Sequence, residues 1–470
     1  MKTKFTASQL ADPKIAEADK ILQTCQHFGF CTSGCPTYVL LHDENDGPRG
    51  RIDLIKEMLE SDEPPKAKTV EHIDKCLSCM SCVTTCAVKV DYMHLVDTAR
   101  AHIQTHYKRP LAQRVVRQAL GFVLPRSALF KLAMAAGRAS KPFTALMPQS
   151  LRHIMKLVPD REKSHAESLP VQTVYPAHEE RRWRVALLAG CVQPVLSPHI
   201  NDATIRLLTR HGCEVVIPAS AGCCGSLNLH MGNVDAARVF ARANVAAWAR
   251  EIDAGQLDAI LVNASGCGTT VKDYPHLLHG DAEEANAKRV GALAMDITQW
   301  LKRMDLRPPP APRRLRVAYH DACSLRNAQK VTSQPRSLLR AAGFSVQDVP
   351  ESHFCCGSAG TYNMLQPELA RQLGERKAQN IASTEPQIVC AGNIGCITQI
   401  GMYSQTPIVH TVELLDWAYG GPKPMALASV ELVEAAAEPD PPPVEQPVAG
   451  EHALNYVKKA EIENQDVGFW

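Results

Sequence analysis

"CLSCMSCVTTC", residues 76–86, places Cys76, Cys79, Cys82 and Cys86 at C-x2-C-x2-C-x3-C spacing. Steps of three and four residues gather thiols on one short loop at the spacing of iron–sulfur ligands. Upstream, "CQHFGFCTSGCP" at 25–36 repeats the pattern with one gap. Cys25, Cys31 and Cys35 stand in their slots with Pro36 behind them, but the remaining slot holds Phe28. A phenyl ring offers no lone pair to a metal, so this run has one ligand fewer.

At 470 residues the chain has room for two to four domains. Lys and Arg number 51 against 49 Asp and Glu, so no basic footprint for nucleic acid is present. The first twenty residues lack the apolar core and small-residue cleavage site of a secretory signal. No run approaches the roughly 18 to 20 apolar residues of a membrane span. A cytoplasmic protein is expected, in which the 17 cysteines are reduced thiols available to metal rather than a disulfide framework.

Two such runs in one domain signal a two-cluster ferredoxin module, in which the first three cysteines of a run hold one cluster and the fourth reaches across to the other. Cys76, Cys79, Cys82 and Cys35 then complete a four-iron, four-sulfur cluster. Cys25, Cys31 and Cys86 remain for the other, which is either a three-iron, four-sulfur cluster or a four-iron cluster with no cysteine at one iron. Zinc, which takes four ligands, fits seven thiolates poorly. His27 is one residue off the empty slot and reads as a packing residue. The flanks "YVLLHDENDGPRGRIDLIKEML" and "VDYMHLVDTARAHIQTH" carry apolar residues at three- and four-residue steps, so the module is expected to be of the helical ferredoxin type.

From Thr98 to Pro159 the chain has eleven Lys and Arg and no acidic residue. Leu111, Val115, Ala119 and Val123, then Leu129, Leu132, Ala133 and Ala136, recur at helical spacing. Short basic amphipathic helices of this kind lie on anionic lipid or an acidic partner, or else pack as a connector on their own domains.

Beyond Arg181 the chain copies itself. "RRWRVALLAGC" at Arg181 returns as "RRLRVAYHDAC" at Arg313, and "CCGS" at Cys223 returns at Cys355. "NASGCG" at Asn263 is answered by "GNIGC" at Gly392. Short β-rich runs alternate with helical ones, which argues a parallel α/β unit with cysteine loops at the strand ends, where such sheets bind ligands. Each copy offers four thiols: Cys191, Cys223, Cys224 and Cys267, then Cys323, Cys355, Cys356 and Cys396. Both iron–sulfur and zinc suit four thiolates. Cys213 and Cys390 have no counterpart and read as packing residues.

The fold expected is α+β and multidomain. A helical ferredoxin-type domain spans 1–105 and a basic amphipathic helical connector 106–180. Two repeated α/β CCG modules follow at 181–306 and 313–420, then an acidic, Pro-rich, disordered tail at 421–470.

Two CCG modules behind a two-motif ferredoxin domain resemble a family of iron–sulfur electron-transfer proteins. It contains heterodisulfide reductase subunits, the corresponding iron–sulfur subunit of anaerobic glycerol-3-phosphate dehydrogenase and the glycolate oxidase iron–sulfur subunit. The last is the most similar, through "GFCT", "DGPRGRI", "CLSCMSCVTTC" and "GNIGCIT", over about Ile21 to Gly420. The resemblance implies a complex in which an FAD-containing subunit oxidises glycolate to glyoxylate. This chain then passes electrons to quinone or another membrane acceptor, peripheral on the inner face of the cytoplasmic membrane. It implies no catalytic residue here, and no G-x-G-x-x-G dinucleotide signature is found. Lactate and glycerol 3-phosphate dehydrogenases are the alternative complexes. A thiol–disulfide reductase is disfavoured, because Thr270 and Gln399 stand where heterodisulfide enzymes carry a further cysteine.

Overall fold

The structure, a computed structural model, describes residues 1–147, 152, 155–158, 169–310 and 313–433. Prolines begin three N-terminal helices, Pro13–Thr24, Pro36–Leu41 and Pro48–Glu60, where a missing N–H costs nothing because first-turn donors have no intrahelical partner. The helices Ala67–Asp74, Ser81–Thr85 and Tyr92–His106 complete this part. Leu22, Ile55, Ile73, Leu95 and Ile103 are fully buried in one core, which Cys25, Cys76 and Cys82 share. The N-terminal part is helical, as the spacing predicts.

The repeat forms two small sheets. The first comprises β1 (Val174–Tyr175), β2 (Trp183–Leu187), β3 (Cys213–Val216), β4 (Ala259–Val262) and β5 (Ala294–Asp296), in the order β1-β3-β2-β4-β5. The second comprises β6 (Arg316–His320), β7 (Ser345–Asp348), β8 (Ile388–Ala391) and β9 (Ile408–His410), in the order β7-β6-β8-β9. All pairings are parallel except the antiparallel β1 on β3. The strands of both sheets contribute to one apolar core, in which Val185, Leu187 and Leu261 meet Val317, Tyr319 and Ile388 around Trp300. Across this seam Asp416, 1% exposed, accepts hydrogen bonds from Arg206 Nε at 2.8 Å and Arg210 Nη1 at 2.9 Å.

Two features differ from the reading of the sequence, and a third bears on the two alternatives given for the connector. Strand β1 lies within the stretch read as connector, and at two residues is too short to show an alternating pattern. The tail is described as far as Val433, with Leu427 fully buried and Gln387 Nε2 donating to Val433 O; the rest of the expected disordered tail lies outside the described residues. The connector helices Leu111–Val123 and Ser127–Ser140 do not bury their apolar stripe. Leu124 and Phe130 point inward, but Leu111, Val115, Phe122 and Leu132 are each more than half exposed. The two helices bend sharply, by 120°, at their junction, and no single described helix is long and apolar enough to cross a membrane.

The helical N-terminal part meets the first module at His94. Its Nδ1 lies 2.6 Å from Asp91 Oδ2, its Nε2 3.0 Å from Asp273 Oδ1, and its ring stacks on His276. Burial opposes the imidazolium, but the hydrogen bonds to Asp273 and Asp91 outweigh it and lift His94 from 6.5 to about 10. A folded-state pKa above the unfolded one gives stability that is complete below the unfolded value and lost as pH rises through the folded one. The melting-temperature gap between the native chain and His94→Gln is therefore expected to be widest at about pH 6 and to shrink towards about pH 10.5 in a thermal-denaturation series. A gap that does not narrow with pH would show that His94 is not held protonated.

Candidate metal centres

Cys25 ends the helix Pro13–Thr24, and Cys86 ends the helix Ser81–Thr85. With Cys31 and Cys82 they line a half-open cavity, bounded also by Phe28, Phe30 and Arg49. Phe28 is 60% exposed and Phe30 63%, so the phenyl ring in the empty ligand slot sits at the mouth and leaves the interior to sulfur. His27 lines the same cavity, part-buried, with its Nε2 3.5 Å from Asp53 Oδ1. Burial pushes the Cys31 thiol up to about 11, with the neighbouring charges of Cys25, Cys86 and Cys35 adding to it. The Val90 N–H donates to Cys86 Sγ.

The second group lies deeper. Cys35, Cys76, Cys79 and Cys82 are all buried. Burial would raise the Cys76 thiol, but the guanidinium groups of Arg51 and Arg100 outweigh it and hold Cys76 below its usual value. Arg51 is 1% exposed; its Nε donates to His72 O at 2.8 Å, its Nη2 to Thr37 Oγ1 at 3.0 Å, and its Nη1 points to Cys35 Sγ at 3.9 Å. Buried Asp46 balances it, with His72 Nδ1 at 2.8 Å, Lys75 Nζ donating at 3.1 Å and Arg51 Nη2 at 3.6 Å. The "DGPRGR" turn thus delivers a buried cation beside the thiols. Its partners His72 and Lys75 come from another helix, so only the turn itself was visible in the sequence. Cys79 and Cys82 are pushed well above the usual thiol value, first by burial and then by neighbouring thiolates.

Both sheets put their cysteines past the carboxyl ends of strands. In the first module Cys191, Cys223, Cys224 and Cys267 form one group. Hydrogen bonds from the Cys191 and Cys224 thiols, together with the Gly225 N–H, hold Cys223 down, and the same contacts push Cys191 and Cys224 up. Gly225, at φ +86°, admits this loop because an added Cβ would lie 2.9 Å from Ala237 O. Ser127 Oγ, at the start of the second connector helix, donates to Cys191 O at 3.0 Å. In the second module Cys323 Sγ lies 3.7 Å from Cys355 Sγ, and that contact, then burial, pushes Cys323 up. Asn393 Nδ2 donates to Cys396 Sγ at 3.4 Å.

Cys213 and Cys390 lie apart, on β3 and β8. Burial pushes each thiol up to about 12. His320 was missed by the reading of the sequence. It is buried against Cys356 and Cys396, and burial, with Lys377 nearby, pushes it down to about 3. The signal was the change from "LLAGC" to "YHDAC" between the repeats.

The groups adjoin one another. Cys79, Cys323 and Cys355 belong to one apolar cluster with Leu77, Tyr362 and Leu369. Asn327 Nδ2 donates to Cys79 O at 2.9 Å, and Tyr362 Oη to Lys75 O at 3.1 Å. Between the modules Ser265 Oγ and Ser324 Oγ are 2.8 Å apart, and Gln329 Nε2 donates to Ser265 O.

All seventeen cysteines are free. Thiols buried in threes and fours cannot all ionise in a low-dielectric interior without a cation among them, and a metal ion supplies that charge while releasing their protons. N–H donors aimed at sulfur match the hydrogen bonding that tunes iron–sulfur clusters. The groups of four fit a cluster or zinc; the group of three, open at Phe28, fits a cluster one cysteine short.

Buried sulfur of this kind on ferredoxin-like helices and at the ends of two parallel sheets defines an iron–sulfur protein. Residues 21–90 match the family described as 4Fe-4S dicluster domain, and residues 185–272 and 317–401 each match the cysteine-rich CCG domain. The chain is 40% identical over 419 residues to the glycolate oxidase iron–sulfur subunit of Escherichia coli (strain K12), covering 89% of this chain and 99% of that one. It is 31% identical over 430 residues to the probable glycolate oxidase iron–sulfur subunit of Bacillus subtilis (strain 168), covering 85% and 94%. Lactate utilization protein A of Geobacillus kaustophilus is 29% identical over 241 residues, covering 50% of this chain and 98% of that one. The chain belongs to the family of glycolate oxidase iron–sulfur subunits.

Cys213→Ala and Cys390→Ala are expected to leave iron and zinc content unchanged and to cost roughly 1 kcal/mol of stability each, the transfer energy of one small buried group. Metal counting on the purified variants checks this, and a loss of metal from either would place that cysteine in a site.

Proposed function

We propose that this chain is the electron-carrying subunit of a complex that oxidises glycolate to glyoxylate and delivers the electrons to quinone. The reaction releases two electrons and two protons from glycolate to an FAD-containing partner. Iron–sulfur clusters, when bound, accept such electrons one at a time. In this reading Cys76, Cys79, Cys82 and Cys35 hold a four-iron cluster, and Cys25, Cys31 and Cys86 hold a three-iron cluster. Cys191, Cys223, Cys224 and Cys267, and Cys323, Cys355, Cys356 and Cys396, hold further metal centres.

The observation that carries the reading is the contiguity of these groups. The Cys79 loop is bonded to the Cys323 loop through Asn327, the Cys323 loop to the Cys267 helix through Ser324 and Gln329, and Cys191 to the connector through Ser127. The half-open group beside exposed Phe28 and Phe30 is where the FAD-containing partner docks. The opposite end lies beneath the connector, whose exposed Leu111, Val115, Phe122 and Leu132 stand among basic residues with no acidic neighbour in sequence. That combination suits an anionic lipid surface, where a quinone would be met.

Glycolate added anaerobically to the metal-loaded chain with its FAD-containing partner is expected to reduce the clusters, as read by EPR. Reduction by lactate but not glycolate would reassign the substrate, and reduction by neither would end the electron-carrying reading. In the protein as isolated, a near-isotropic signal near g of about 2.01 is expected from the three-iron cluster, lost on reduction. Phe28→Cys is expected to replace it with a further four-iron signal and to raise the iron count. An unchanged spectrum would place the cluster elsewhere.

Phe122→Glu with Leu132→Glu is expected to weaken co-sedimentation with phosphatidylglycerol-containing vesicles by at least roughly tenfold, given the apolar area withdrawn. Binding by the native chain should also fall as salt is raised. Equal binding of native and variant chains would exclude this face as the lipid contact.

A further inference from the structure

His320 is buried in the second module with nothing to bond. It ends β6 and is 1% exposed, and neither Nδ1 nor Nε2 has a hydrogen-bond partner among the described residues. A buried imidazole unpaired at both nitrogens forfeits its hydration twice over, which points to a partner outside the polypeptide. One of its nitrogens, Cys356 Sγ and Cys396 Sγ all lie within 4.8 Å of one another. With metal–nitrogen and metal–sulfur bonds of about 2.0 to 2.3 Å, donors so spaced can share one metal ion.

The first module differs at this position. The repeat sets His320 against Leu188, a buried hydrocarbon wall. Gly225 packs on the backbone of Ala237 as Gly357 packs on that of Ala370, and this shared register sets Asn244 against Lys377. Asn244 uses its amide on Cys223 O and Tyr274 Oη. Lys377, 2% exposed, brings a cation beside Cys355 and Cys356, its Nζ held by Glu351 O. The residue three beyond Cys396 offers no further donor, because Gln399 is engaged with Ala370 O and Asn363.

We infer that His320 is a fifth ligand, through an imidazole nitrogen, of the metal centre held by Cys323, Cys355, Cys356 and Cys396. The second module then binds through a mixed imidazole–thiolate set, and the first through thiolates alone. This rests on the reading that those four cysteines hold a metal centre. Imidazole brings no negative charge where a thiolate would bring one, so a thiolate in place of His320 lowers the reduction potential of this centre.

The test uses the full chain, metal-loaded anaerobically, with natural or 15N-labelled histidine. Pulsed EPR of the reduced protein is expected to show a directly coordinated nitrogen that responds to the label and disappears in His320→Leu, the side chain of the first module. If the counted metal is zinc, which takes four ligands, X-ray absorption showing four sulfurs and no nitrogen would likewise overturn the inference. His320→Cys is expected to keep the native metal content, lose the nitrogen and lower the potential of one centre; it carries the test alone should His320→Leu not fold. No label-sensitive nitrogen, or only the weak coupling of an N–H donated to sulfur, would overturn the inference. Unchanged iron and zinc content in Cys356→Ser would instead show that the module holds no metal, so the underlying reading falls with it.

Discussion

Crowded buried sulfur is the constraint on which the rest of this structure depends. All but two of the seventeen cysteines lie in four groups, and most of them are shut away from water. A thiolate without water needs another source of positive charge, and two such thiolates side by side need it more. The chain supplies part of it itself: Arg51 and Arg100 face Cys76, and Lys377 faces Cys355 and Cys356. These cations are in turn expensive to bury, which explains why Arg51 is caught between Asp46, Thr37 and the His72 carbonyl. The remaining charge is left to metal, so metal binding and folding are coupled in the short helices of the N-terminal part.

The two sheets show what duplication keeps and what it lets go. Both copies retain the glycine that lets a cysteine pair approach a helix backbone, and both leave their sulfur past the carboxyl ends of parallel strands. The seam between them is the shared apolar core and the Asp416 pair of ion pairs. What differs is the lining of the cysteine pockets, where leucine and asparagine in one copy face histidine and lysine in the other. The scaffold is symmetric; the electrostatics are not.

Much of this was legible in sequence because cysteine spacing and strand patterns are local. The C-x2-C-x2-C-x3-C run, the 31 residues between Cys191 and Cys223, and the alternation of β-rich and helical runs are all short-range signals. Three things were out of reach. The bond between Asn327 and the Cys79 carbonyl joins residues 248 apart, and nothing near either residue announces it. The outward turn of Phe28 depends on how the loop is folded rather than on what it contains. For His320 the repeat showed only that a leucine had been replaced, and what the imidazole faces became visible once β6, β7 and β8 brought their loops together.

Partly exposed sulfur occurs in three of the four groups, at Cys31 and Cys86, at Cys267 and at Cys323. Cys31 and Cys86 are half-buried at an open cavity, whereas Cys76 and Cys79 are buried away from it and Cys355 and Cys356 are buried more completely. Dioxygen or peroxide arriving from solvent reaches Cys31 and Cys86 through the open side of the cavity, where access favours attack. The group that already lacks a cysteine is also the one that opens on a cavity, so its sulfur is the most directly reached from solvent among the described residues.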